Sequence, residues 1–212
     1  MAFLLYCYNS DLIMHTLDSN KDTLRRLIRN KREELTQQNQ QQASEVIVEN
    51  VYQSPSFKNA QKIAFYHAVQ GEADPRKLIQ LNKMNNNNKT FYLPILSQNN
   101  QQDLRFAPIT ESSKYKRNKF SIPEPICDPN DLVSGDTLDL VIMPLLGFDK
   151  HGNRLGMGGG FYDRTFSFKQ SAKSKPVLIG FAYNFQEVES LKAETWDIPL
   201  DFIATESGVI AC

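Results

Sequence analysis

The most apolar stretch of the chain, TLDLVIMPLLGF at 137–148, leads within a short turn into RLGMGGGFYDR at 154–164, where four glycines fall within five positions. The first reads as a deeply buried strand and the second as a loop running into a helix that begins at FYDRTFSF. Glycine loses more backbone freedom on folding than any other residue, so this density implies a backbone path that other residues cannot follow. In open α/β sheets such a loop lies at the carboxyl end of a strand, where ligands bind. Its N–H groups can close on an anion there, and the following helix start adds a favourable dipole. The residues alone leave three readings open: a linker, a tight turn or a phosphate cradle. No GK[ST] follows, and Gly156, Gly158, Gly159 and Gly160 are out of register for GxGxxG, which disfavours a Walker loop and a dinucleotide loop.

The rest of the chain supplies the strands and helices that such a site needs. Leu24, Leu27, Ile28 and Leu35 recur at helical spacing between Lys21 and about Tyr52, with Asp18 or Ser19 as a start cap. TQQNQQQ at 36–42 reads as the break between two helices, and SPSF as a proline stop. Strand-length runs follow at 62–68, 89–96, 103–109, 137–148 and 175–183, with DFIATE as a last one. Helical segments fall at ADPRKLIQLNKM, with Pro75 in its first turn, and near 185–193. The asparagine and glutamine tracts at 37–42, 85–88 and 98–102 read as loop expansions. Strands alternating with helices predict an α/β fold: one three-layer domain with a mostly parallel, mixed sheet flanked by helices, preceded by an N-terminal helical segment. That domain is expected over 21–212, with 1–20 as an extension that is poorly ordered or precedes the native start, Met14 being an alternative initiator.

At 212 residues, with 41% hydrophobic and 23% charged residues and a formal net charge of zero, the chain has the balance of a soluble globular protein. The zero charge gives no support for a nucleic-acid partner. The apolar run from Ala2 to Tyr8 is too short to cross a bilayer and lacks the flanks of a signal peptide, so no membrane partner is expected. Cys7, Cys127 and Cys212 are far apart and form no CxxC pair, which argues against a disulfide framework or zinc site and fits a reducing cytoplasm.

Several polar residues have two readings. Arg154 and Arg164 flank the glycines and are able to reach a phosphate; Asp163 is placed to hold a magnesium ion or to cap a turn. Lys21 and Arg25 lie four apart on one helical face, continued by Arg29 and Arg32, a stripe whose ordinary reading is a solvated charged face. His67 and Glu72 follow the first buried strand, where Glu72 either accepts hydrogen bonds from a heterocycle or caps the next helix. His151 reads as a loop residue. No Ser/His/Asp or Cys/His arrangement points to a protein nucleophile. The residues alone also leave open a sugar-phosphate or CoA-type enzyme and a non-catalytic nucleotide-binding module.

PLLGFDKHGNRLGMGGGFYDR, with WDIPLD at 196–201 and QGEADP at 70–75, resembles the 5-formyltetrahydrofolate cyclo-ligase family, also called methenyltetrahydrofolate synthetases, from about Lys21 to about Glu206. The resemblance implies ATP-dependent closure of 5-formyltetrahydrofolate to 5,10-methenyltetrahydrofolate by a cytoplasmic, magnesium-dependent monomer that uses no catalytic side-chain nucleophile. By position it implies ATP contacts from Lys21, Arg25 and the loop Arg154, Leu155, Gly156, Met157, Gly158, Gly159, Gly160, Phe161 and Tyr162. It implies folate contacts from His67, Glu72 and the part of that loop from Met157 to Phe161, and magnesium ligands at Asp163 and Asp197. Some relatives carry Arg or Lys where this chain has Met157 and Gly159, which leaves Lys21, Arg25, Arg154, Arg164 and the metal to meet phosphate charge. A phosphate-cradling loop also implies positive φ angles at its glycines, Gly159 among them.

Overall fold

A computed structural model describes residues 21–85, 88–97, 103–171 and 175–212. The expectations for the N-terminal extension, its cap, and most of the tracts at 85–88 and 98–102 lie outside these residues. Helix α1 (Lys21–Glu34) is followed by α2 (Gln37–Gln53) and α3 (Pro55–Asn59). The break between α1 and α2 falls at Leu35–Thr36, ahead of the glutamines. Thr36 caps α2, its side-chain oxygen accepting from Asn39 N at 3.2 Å, so the expected breaker segment is the first turn of the second helix. Glutamine is a good helix former, and a capping threonine is sufficient to set the start. Ser54 both ends α2 and caps α3, so Pro55 begins a short helix as well as ending a long one.

The remaining elements build a seven-stranded sheet. They are β1 (Lys62–Ala64), α4 (Lys77–Met84), β2 (Thr90–Leu96), β3 (Leu104–Ile109), β4 (Lys114–Arg117), β5 (Pro123–Ile126), β6 (Leu140–Pro144), β7 (Gly147–Phe148), β8 (Arg154–Leu155), α5 (Phe161–Thr165), β9 (Val177–Phe181), β10 (Phe202–Thr205) and β11 (Gly208–Ala211). The sheet order is β11-β10-β9-β6-β1-β2-β3; β2–β1–β6–β9–β10 run parallel, and the edge pairs β2–β3 and β10–β11 are antiparallel. This is the expected α/β architecture. Strand β6 shows why its sequence is apolar throughout: Leu140 and Ile142 enter the core under α2 and α3, while Val141 and Met143 enter the core on the opposite face. A third cluster packs Leu24 and Ile28 of α1 against Leu146, Leu155, Val188 and Leu191, which seats α1 beneath the β7–β8 ribbon.

Three expectations are corrected. The helix expected near 185–193 is only a 3-10 turn at Asn184–Gln186, followed by irregular chain. The buried Gln186 side chain donates to Leu145 O (2.9 Å) and Leu146 O (2.8 Å), and Asp149 accepts from Leu191 N, so tertiary partners replace helical hydrogen bonds. The helix begun by FYDRTFSF is the five-residue α5, followed by a 3-10 turn at Ser167–Gln170. The run at 137–148 is two strands, β6 and β7, separated at Leu145–Leu146.

The amino ends of β1, β6 and β9 are tied together by Asp139. Its Oδ2 accepts from Gln61 N and Lys62 N, both at 2.9 Å, and its Oδ1 from Lys175 Nζ at 2.5 Å. Burial pushes its carboxyl up, but Lys175 and the two backbone N–H groups outweigh that and hold it down at about 2, from an ordinary 3.8. A carboxyl depressed in the folded state contributes stability that is present above its unfolded pKa and is lost as pH falls through the folded one. The melting temperature of Asp139→Asn should therefore lie below wild type at neutral pH, with the gap closing between about pH 4 and about pH 2. Thermal melts followed by circular dichroism across that range check this; a gap that stays constant contradicts it.

Candidate functional site

The carboxyl ends of β1 and β6, the glycine stretch, α1 and the β4–β5 hairpin enclose a cavity of about 1190 Å³. Single small-molecule pockets commonly run from about 300 to about 1,000 Å³, so this cavity has room for two ligands side by side. Lys21, Arg25, His67, Glu72, Asp197 and the entire segment from Arg154 to Arg164 line it. The structure thus brings every sequence-predicted site residue to one place. Arg32 lies behind that wall and His151 is exposed on the β7–β8 turn.

Helix α1 docks onto the glycine stretch through its basic face. Arg25 Nε donates to Gly156 O at 2.9 Å and its Nη1 to Asp22 Oδ1, while Arg29 Nη2 approaches Met157 Sδ at 3.5 Å. Lys21 Nζ lies 3.2 Å from Glu194 Oε1 and 3.9 Å from Asp197 Oδ2. The expected solvated stripe is therefore corrected: Lys21, Arg25 and Arg29 are half-buried and Arg32 is only 1% exposed. The positive-φ glycines of the stretch are Gly158 (φ 95°) and Gly160 (φ 63°). Gly159, expected to need such an angle, does not adopt one; a side chain there would instead meet the Phe161 ring at 2.8 Å. Arg164 closes the stretch from the other side, donating from Nη2 to Gly159 O and lying over the Phe161 ring.

Arg154 and Asp163 are partners. Arg154 is nearly buried; its Nη2 donates to Asp163 Oδ1 and its Nη1 to Ile198 O, while Ile198 N donates to the same Asp163 oxygen at 3.1 Å. This triangle joins β8, α5 and the segment that carries Asp197. The hydrogen bonds to Asp163 fall on Oδ1 and that to Asp197, from Glu194 N, falls on Oδ2. One oxygen of each carboxylate stands outside these bonds. Among the described residues no group of three His, Cys, Asp or Glu gathers closely enough to hold a metal. One or two carboxylates completed by phosphate oxygens and water are nonetheless a fitting donor set for magnesium, which seldom takes an all-protein cage.

The opposite wall is less charged. Glu72 Oε2 accepts from Val69 N at 3.1 Å, so it caps its own loop, and its Oε1 lies 3.7 Å from Arg32 Nη1. Burial pushes the Glu72 carboxyl up, against the Val69 N–H and Arg32, which favour its charged form. Burial holds the His67 imidazole below its ordinary value, and the nearby Arg76 and Arg117 add to that. Burial also pushes the Tyr66 and Tyr162 phenols up, so both stay neutral.

Sequence reasoning missed the β4–β5 hairpin, which contributes Asn118, Phe120, Ile122 and Glu124 to the cavity. All of β4 is exposed, so it has no apolar alternation to read. Its available signal was Asn118 within RNKFS: Oδ1 accepts from Phe120 N (2.9 Å) and Ile122 N (3.1 Å), an asparagine-nucleated turn. Glu124, 5% exposed, accepts from Asn118 Nδ2 and Leu96 N at 2.9 Å each and so holds the hairpin on β2. Phe120 meets the Phe161 ring edge-on at 5.9 Å, so the hairpin reaches the glycine stretch across the cavity mouth. Glu194 and Trp196 of the lining were missed as well.

The sequence profile of the 5-formyltetrahydrofolate cyclo-ligase family matches residues 18–206. The chain is 37% identical over 183 residues to the 5-formyltetrahydrofolate cyclo-ligase of Escherichia coli, covering 86% of this chain and 98% of that protein. It is 38% identical over 180 residues to that of Haemophilus influenzae, covering 85% and 94%. In three dimensions it resembles the solution structure of Aquifex aeolicus 5,10-methenyltetrahydrofolate synthetase, with a TM-score of 0.75 at 29% identity over 90% of this chain and 92% of that one. Among the described residues no helix is long and apolar enough to cross a membrane. With the profile spanning the glycine stretch, Glu72 and Asp197 in one alignment, the chain belongs to the 5-formyltetrahydrofolate cyclo-ligase family.

Proposed function

We propose that the protein uses ATP to convert 5-formyltetrahydrofolate to 5,10-methenyltetrahydrofolate, releasing ADP and phosphate. The observation that carries this reading is one cavity with two unlike walls: a glycine stretch clasped by Arg25 and Arg164 on one side, and the Glu72 carboxylate among neutral aromatic groups on the other. Family membership supports the same pairing of substrates.

The chemistry follows from the substrate. A formamide oxygen is a poor leaving group, because expelling it would release hydroxide or oxide. Its lone pair instead attacks the γ-phosphorus of ATP; the new O–P bond forms as the bond to the β-phosphate oxygen breaks, and ADP departs with that electron pair. The formyl carbon of the resulting iminophosphate is electrophilic. N10 attacks it and loses its proton, the C–O bond breaks, and phosphate leaves as the amidinium ring closes. No side chain forms a covalent bond; the protein positions the reactants and answers charge.

The residues divide accordingly. Arg25 holds the glycine stretch through Gly156 O and is aimed at the phosphates, with Lys21 beside it. Arg154 is committed to Asp163 and Ile198, so it shapes the site and supplies charge from behind. A magnesium ion would be held by Asp163 and Asp197 together with phosphate oxygens, and when bound it neutralises charge on the transferring group. Glu72 accepts hydrogen bonds from the N–H groups of the pterin ring, flanked by His67 and the Phe161 face. Met157, Gly158, Gly159 and Gly160 lie where both substrates approach.

Incubating the protein with 5-formyltetrahydrofolate and Mg-ATP and recording the methenyl chromophore tests the reading directly. The absorbance should rise only when ATP and a divalent metal are both present; its absence under those conditions refutes the assignment, and full activity after complete metal removal refutes the role of Asp163 and Asp197. Glu72→Gln should raise KM for the folate and leave that for ATP nearly unchanged. The loss should be about 1–3 kcal/mol, that of a charge-assisted hydrogen bond left unmade. Steady-state kinetics with each substrate varied separates the two constants, and equal changes in both would contradict the proposed division of the cavity.

A further inference from the structure

Among the described residues Arg32 is the largest fully buried side chain, yet its guanidinium Nε, Nη1 and Nη2 make no hydrogen bond. Its nearest counter-charge is Glu72 Oε1, at 3.7 Å, a separation that makes an ion pair but not a hydrogen bond. Burying an under-bonded cation is expensive, and an apolar residue of similar volume commonly serves stability as well or better. Packing alone therefore gives no reason for an arginine at this position.

The surroundings supply one. The loop that carries Glu72 rests on the junction of α1 and α2. Gln40 Nε2 donates to Arg32 O and Leu35 O, Asp74 N donates to Ser44 Oγ, and Tyr183 Oη donates to Gly71 O. Gly71, at φ 73°, packs on this junction: a side chain there would lie 3.0 Å from Gln40 Nε2 and 3.4 Å from the Arg32 carbonyl. The backbone on both sides of the pair is thus fixed. The charged and titratable groups that face Glu72 are Arg32 from α1, Tyr66 beyond β1 and Tyr162 from α5, and both phenols stay neutral. Among the described residues, Arg32 is the cation that acts on this carboxylate.

We propose that Arg32 is the positioning residue of the folate wall: placed 3.7 Å behind Glu72 and outside the cavity lining, it holds that carboxylate ionised and aimed into the cavity, where an ionised acceptor is needed for the paired N–H donors of a pterin. This rests on the reading of Glu72 as a folate contact. It gives α1 two tasks at opposite ends, Lys21 and Arg25 toward the nucleotide and Arg32 toward the folate.

The test measures KM for both substrates from about pH 7 to about pH 9 in wild type, Arg32→Met, Arg32→Gln, Glu72→Gln and the Arg32→Met/Glu72→Gln pair. Without Arg32, burial is opposed only by the Val69 N–H, so the Glu72 carboxyl should move further up and be less ionised at neutral pH. KM for the folate should then rise about tenfold or more at pH 7 and fall toward wild type as pH increases, since each tenfold corresponds to one pKa unit of differential binding. KM for ATP should change little, and Arg32→Met should add nothing to the folate KM once Glu72 is glutamine. A merely structural arginine would raise both constants, with no pH dependence. A folate KM in both Arg32 variants that matches wild type, or that is raised by one factor at every pH, overturns the proposal. If Glu72→Gln itself leaves the folate KM unchanged, the folate reading of Glu72 falls and the proposal with it; if Glu72→Gln responds and the Arg32 variants do not, the proposal falls alone. Should the Arg32 variants fail to fold, carbon-13 NMR of the wild-type Glu72 carboxyl, assigned by its disappearance in Glu72→Gln, decides the matter. The proposal requires that carboxyl to be ionised at about pH 7, and a protonated one refutes it.

Discussion

Gly160→Val should lose turnover by at least roughly a hundredfold, the penalty expected when reacting groups are displaced by about an ångström, while melting close to wild type. Gly160 has φ 63° at the start of α5, a left-handed conformation that costs most L-residues about 1–2 kcal/mol and a β-branched one more. A side chain there would also lie 2.7 Å from Arg164 Nη1, the guanidinium that closes the stretch onto Gly159 O. The strain falls on a half-exposed loop outside the three core clusters, so the loop shifts while the sheet stays intact. Gly159→Val is the informative comparison. Its backbone angle is ordinary, and its obstacle is the Phe161 ring, so its defect should be smaller and should fall more on the folate side. Kinetics and thermal melts on both variants decide this; a Gly160→Val enzyme with wild-type turnover would make the stretch an ordinary turn.

Arg25→Ala should raise KM for ATP roughly ten- to hundredfold, corresponding to about 1.5–3 kcal/mol for hydrogen bonds made by a charged group. Two effects combine in it: the loss of a phosphate-facing cation and the loss of the 2.9 Å bond that fixes Gly156 O. Lys21→Ala should cost less, because Lys21 is more exposed and already shares its charge with Glu194 and Asp197. Deleting 1–13 should leave activity intact, since it removes nothing of α1. Starting the chain at Arg29 would remove Leu24 and Ile28 from their cluster as well as Lys21 and Arg25, so a loss of nucleotide binding there would mix unfolding with site damage. Point substitutions read the site alone. Equal ATP constants in wild type and Arg25→Ala would move the nucleotide away from α1.

The regular elements were readable because they carry a local period. Leu140, Val141, Ile142 and Met143 face both cores, so an unbroken apolar run was sufficient to mark the central strand. The glycines at 156–160 were equally plain, because two of them require backbone angles that other residues avoid. Alternation of such runs with amphipathic segments, and the order of motifs along them, determined the α/β class and the stretches that meet in the cavity. The tertiary structure decided whatever depends on partners remote in sequence. Residues near 185–193 read as a helix locally but beyond a 3-10 turn are held irregular by Gln186 bonding to carbonyls about forty positions away and by Asp149 reaching Leu191 N. The β4–β5 hairpin has an exposed first strand and hence no apolar period; the buried Glu124 fastens it to β2. Arg154 and Asp163, read separately as phosphate and metal groups, turn out to answer each other. Arg32 looked like one more cation on a charged helix face until the loop of Glu72 was seen to cover it. A side chain's charge is written in the sequence, but what surrounds that charge is set by the packing of distant segments, and the surroundings determine what the charge does.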